Sequence, residues 1–84
     1  MHTYRADGFR DVQAERATDA AEVFAKRLAR RHYGSGGYCR NVRLDSWTEN
    51  GRTHVFEVLI GRAARGDAGA TFGHNVWLHV TRRD

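Results

Sequence analysis

Only one segment of this 84-residue chain carries the apolar repeat of a helix, while three later segments alternate like β-strands. That imbalance constrains the fold more than any other feature. The three segments are Val42-Arg43-Leu44-Asp45, Val55-Phe56-Glu57-Val58-Leu59-Ile60 and Val76-Trp77-Leu78-His79-Val80. One helix can cover only one face of the sheet they form, so the other face is expected to meet water. Val76, Leu78 and Val80 belong to the covered face, which turns Trp77 and His79 outward. A large apolar patch exposed on a small protein usually marks a partner surface.

The helix is predicted over residues 18–33. Thr18 is a good N-cap candidate, and Asp19 and Glu22 put acid in the first turn. Ala21, Phe24, Ala25 and Leu28 follow the i, i+3, i+4, i+7 rule and form an apolar stripe. Lys26, Arg27, Arg30, Arg31 and His32 load its end with positive charge, which suits the helix dipole. Gly34 stands where a left-handed C-terminal residue is expected. Residues 3–14, which alternate imperfectly around Asp7-Gly8, read as one bulged strand or as a short hairpin. The single strand is preferred, with Val12 and Ala14 inward.

Strands are placed at 38–48, 52–61 and 74–82. Glu49-Asn50-Gly51 is the hairpin between the first two. A three-residue loop with Gly51 left-handed pairs Leu44 with Phe56, Val42 with Val58 and Arg43 with Glu57. This register separates apolar from polar, putting Val42 and Leu44 in the core with Phe56 and Val58, and makes a charge pair, so it is preferred to a two-residue Asn-Gly loop. Residues 62–73 carry three glycines and no apolar period, and a long, mobile loop is expected there. The fold class is therefore α+β: β-α-β-β-β, with one helix on a four-stranded, mainly antiparallel sheet in a single domain, 1–84. The open face is expected to hold Trp47, Val55, Leu59, Trp77 and His79, with Arg43 and Glu57 among them. Trp47, Trp77, His79, Leu59 and Arg43 are its partner-binding candidates. Phe72 or the N-terminal Tyr4 and Phe9 could instead fold over the tryptophans.

No apolar run approaches the roughly 18–20 residues that cross a bilayer, and the first residues have no signal-peptide core. The single cysteine, Cys39, allows no internal disulfide and suits a reducing cytoplasm. Five histidines lack metal-ligand spacing, and Cys39 lacks the partners of a nucleophile, so no metal, cofactor or catalytic residue is expected. The glycine-rich stretches at 34–37 and 66–73 do not match a phosphate-binding loop. The formal net charge is +4, and all but one of the basic residues are arginine. Such a balance favours acidic partners, nucleic acid or protein. Lys26, Arg27, Arg30 and Arg31 form the candidate basic patch, extended by Arg40, Arg62 and Arg65. Its competing explanation is a solvated helix end. On the aromatic face, a protein contact is preferred to base stacking, because no RNA-recognition motif is present. A homodimer by sheet stacking is one form of that contact.

The strand, the Ala17-Thr18-Asp19-Ala20-Ala21-Glu22 helix start, the Gly37-Tyr38 strand opening and the Asn50-Gly51 hairpin together resemble the small anti-CRISPR proteins of phages and mobile elements. These inhibit type I CRISPR-Cas surveillance complexes. The resemblance covers the whole chain but carries no signature motif, so it assigns no residue a role. It implies a stoichiometric, non-enzymatic inhibitor in the cytoplasm of a bacterial host, bound to a Cas subunit of Cascade and blocking target DNA recognition. Many such inhibitors are acidic DNA mimics. A basic chain fits occlusion of a Cas subunit, or contact with nucleic acid beside it, better than mimicry.

Overall fold

A computed structural model of the chain describes residues 1–47, 51–63 and 71–84. Strand β1 (His2–Arg5) and strand β2 (Val12–Ala14) precede helix α1 (Ala17–Tyr33). A short 3-10 turn then leads into β3 (Gly37–Trp47), β4 (Thr53–Ala63) and β5 (Thr71–Arg82). The five strands form one antiparallel sheet in the order β2-β1-β5-β4-β3, with α1 packed on one face. The class is α+β as expected, with one strand more.

The extra strand comes from the N-terminal segment, which is a hairpin and not a single bulged strand. His2, Thr3 and Tyr4 pair with Ala14, Gln13 and Val12. The chain reverses at Asp7-Gly8, where Gly8 has φ +84° and the Phe9 amide donates to the Ala6 carbonyl. Glycine at that position supplies the left-handed conformation the turn requires. Val12 and Ala14 are buried, as their alternation predicts.

The helix begins one residue early, and its cap differs. Arg16, extended at φ −135°, is the N-cap and makes no side-chain cap bond. Thr18 lies inside the first turn. Asp19 accepts two hydrogen bonds from the Arg16 guanidinium, each 3.3 Å. Ala20, Ala21, Phe24, Ala25 and Ala29 are buried and Leu28 is half-buried. The small alanines let the helix lie close to the sheet. It ends at Gly34, which has φ +73° and ψ −156°, a region essentially limited to glycine.

The core sits between α1 and the inner sheet face, where Phe56, Val58, Ile60, Leu78 and Val80 are buried. The β3–β4 register agrees with the expectation only at its centre. Leu44 opposes Phe56 and Arg43 opposes Glu57, but bulges interrupt the ladder between Arg40 and Arg43 and between Leu44 and Ser46. The first contains Asn41 at φ +55°, so Val42 does not directly face Val58. Gly51 is left-handed as expected. The hairpin residues 48–50 lie outside the described residues. Pairing of β4 with β5 continues to Ala63↔Thr71. The strands thus take both ends of the expected 62–73 loop, and its remainder, including Arg65, lies outside the described residues. Leu44, expected in the core, is 45% exposed, because it lies beyond the helix's cover. Among the described residues, no helix is long and apolar enough to cross a membrane.

Candidate anion-binding cleft

The two surfaces marked by the sequence fare differently. On the outer sheet face, register sets residues side by side in columns. One column is Arg43, Glu57 and Trp77; the next is Arg40, Leu59 and Asn75; Val55 and His79 are paired beyond them. Arg43 Nη2 lies 3.5 Å from both Glu57 carboxylate oxygens. Trp77 is 56% exposed, His79 is exposed and Leu59 is half-buried. Four of the five partner-binding candidates therefore share this face.

Trp47 does not. The bulge at Asp45 adds one residue to β3, so Ser46 opposes Val55 and Trp47 opposes His54. His54 opposes Val80 on the helix side. An extra residue changes the parity of everything after it. Trp47, 65% exposed, thus projects from the helix side of the sheet beyond the helix, and the two tryptophans cannot form one patch. Phe9 does not cover Trp77 from above. It packs against Phe24 at 6.0 Å between ring centres, while Tyr4 is buried.

Since Trp77 is surface, Trp77→Ala is expected to cost about 1 kcal/mol or less. Thermal melting checks this: a core tryptophan would cost ~3–5 kcal/mol and collapse the transition.

The basic patch is reorganised by the N-terminal hairpin. A hollow lined by Gly8, Phe9, Arg10, Arg27, Arg30 and Arg31 opens between the β1–β2 turn and the second half of α1. Arg31 Nη2 donates to the Gly8 carbonyl at 2.7 Å, and its guanidinium lies 4.1 Å from the centre of the Phe9 ring. Arg27 Nη1 donates to the Arg10 carbonyl at 3.1 Å. These bonds hold the turn against the helix and bring Arg10 to the hollow. Among the described residues, neither the Arg10 nor the Arg30 guanidinium has a hydrogen-bond or ion-pair partner. No carboxylate lines the hollow; the nearby Asp11 is held by Arg83 at 2.6 Å. The result is four arginines lining one hollow, with the guanidinium groups of Arg27 and Arg31 fixed on the turn and Arg10 and Arg30 without such a bond.

Lys26 is not part of this cleft. It lines a separate hollow with Glu22, Cys39, Arg40, Asn41 and Val42. Arg40 lies with its guanidinium 5.4 Å from the Tyr38 ring centre, and Arg62 packs beside Gly36. Neither extends the patch. Arg10 is the member that sequence reasoning missed. Its only signal was a possible Asp7-Gly8 hairpin, which would return the chain toward the helix.

Burial raises the Cys39 thiol pKa, opposed by the nearby positive charge of Lys26. This is the opposite of nucleophile activation. His54 and His74 lie far apart along β4 and β5, and Tyr33 Oη sits 2.8 Å from His74 Nδ1. Among the described residues, no three His, Cys, Asp or Glu side chains converge as a metal site would require. Comparison with protein-family models, curated proteins and solved structures gave no match.

Proposed function

We propose that this chain is a non-enzymatic binding protein that docks a phosphate-bearing partner, nucleic acid alone or within a nucleoprotein, through the arginine cleft. The supporting observation is the convergence of Arg10, Arg27, Arg30 and Arg31 on a hollow without a carboxylate. Helix-dipole compensation accounts for cations on the last turn of α1. It does not account for Arg10, which comes from the hairpin turn. Guanidinium forks match phosphate oxygens in geometry as well as charge.

Binding of short labelled DNA and RNA across a salt series tests this. Each phosphate neutralised adds about 0.7–0.9 to the slope of log affinity against log salt, so four arginines support a slope of roughly −2 to −4. The Arg10→Glu/Arg30→Glu double variant, which removes no fold-holding bond, is expected to bind ~10-fold or more weakly at low salt. Absence of binding by the unaltered chain at low salt, or an unchanged affinity in the variant, would refute the cleft's role.

The anti-CRISPR resemblance gives this reading a particular form. The chain would bind a Cas subunit of Cascade beside its nucleic acid and block target DNA recognition. The exposed Trp77 beside the Arg43–Glu57 pair favours such a protein contact. A pull-down with purified Cascade and a target-DNA shift assay address it. Failure of both would leave nucleic-acid binding standing and remove the inhibitor.

A further inference from the structure

Strand β5 is paired along only part of one side. β4 matches it residue for residue from Thr53↔Thr81 to Ala63↔Thr71, but β1 meets it only at Tyr4↔Arg82 and Arg5↔Thr81. Two bonds fix which residues face the incompletely paired edge. The Arg82 amide donates to the Arg52 carbonyl at 2.9 Å, toward β4; the Arg83 amide donates to the Thr3 carbonyl at 2.8 Å, toward β1. The β4–β5 ladder has no bulge, so this alternation holds along β5. The backbone groups of Gly73, Asn75, Trp77, His79 and Thr81 therefore point away from β4. Arg5 meets Thr81, and the turn residues Asp7 and Phe9 stand across a groove from His79. Gly73, Asn75 and Trp77 remain, with no backbone partner on that side among the described residues.

The opposite edge of the sheet is defended. β3 carries two bulges and the charged residues Arg40, Arg43 and Asp45, all of which discourage strand addition. The open stretch of β5 has no charge, no bulge and no proline.

We propose that a second copy of the chain pairs with this edge, β5 antiparallel to β5, about a two-fold axis at Asn75. This register uses all three free residues of each copy. Asn75 faces its equivalent, where two side-chain amides can bond to each other. Each Trp77 faces Gly73 of the other copy on the outer face, where an indole can lie over a residue without a side chain. Two copies of a +4 chain repel in general, but here the meeting surfaces are uncharged. The contact is small, so the dimer is weak and depends on concentration. It does not depend on what the arginine cleft binds.

Sedimentation velocity of the full chain over a micromolar concentration series tests the pairing. The expected result is a monomer–dimer equilibrium that stops at two. Asn75→Pro removes an amide hydrogen that points outward, so the monomer loses no ladder bond. It should keep its circular dichroism spectrum and stay monomeric. Trp77→Lys, at an exposed site, decides the matter if the proline variant does not fold; it should also be monomeric. A wild-type chain that remains monomeric throughout, open-ended assembly, or a folded variant that dimerises as well as wild type would overturn the proposal.

Discussion

Phe24→Ala is expected to leave much of the chain unfolded at physiological temperature. Phe24 is fully buried midway along α1, and it shares the core with Phe56, Val58 and Ile60 of β4 and with Phe9 of the hairpin turn. Truncating a buried phenylalanine costs ~3–5 kcal/mol, lost burial and residual cavity together. A domain of this size has only ~5 kcal/mol or a little more in total. One helix covers the sheet, so no second layer can close over the cavity. Urea unfolding followed by circular dichroism is the check. A variant with a midpoint close to wild type would show that the α1–β4 contact is not the centre of the core.

A second large effect is expected from a single methyl group. At Gly37, where β3 starts, an added Cβ would lie 2.3 Å from the Ala29 carbonyl oxygen, 2.6 Å from its carbon and 2.9 Å from the Arg30 nitrogen. All three are backbone atoms of α1, and none can turn aside as a side chain can. Gly37→Ala must push β3 away from the helix end, at a cost at or above the top of the ~1–3 kcal/mol usual for overpacking. Its neighbour is the internal control. A Cβ at Gly36 meets only the Arg62 side chain, at 3.5 Å or beyond, so Gly36→Ala should be nearly neutral. Equal midpoints for the two variants in urea would contradict this close approach of β3 to α1.

What was legible in the sequence follows from the range of each signal. The helix could be read because its repeat, its basic end and Gly34 are local and agree with one another. Its N-cap was misplaced because Thr18 is a better cap by residue type, whereas the entering chain makes Arg16 the boundary. Charge pairing found the Arg43–Glu57 alignment at the centre of β3 and β4. It could not reveal that β3 gains one residue on either side, at Asn41 and at Asp45. Bulges are set by twist and tertiary packing, and a single one moved Trp47 to the other face. Leu44 kept its partner but lost its expected burial, because pairing does not say where a helix stops covering a sheet. The arginine cleft was half visible. Arg27, Arg30 and Arg31 share a helix end, but Arg10 arrives through a turn whose carbonyls are held by Arg27 and Arg31, far away in sequence.

That long reach has a further consequence. Tyr4 pairs with Arg82, so this join closes a loop of nearly the whole chain, the kind of contact that forms late in folding. The neighbouring α1, β3, β4 and β5 can assemble through shorter loops. The cleft is complete only when Gly8 and Arg10 reach Arg31 and Arg27, after the β1–β2 hairpin has docked. A polyanion held there would join the first residues of the chain to its middle and act as a clasp on the N-terminal hairpin. In that arrangement, occupancy of the cleft and docking of the hairpin are linked, and each favours the other.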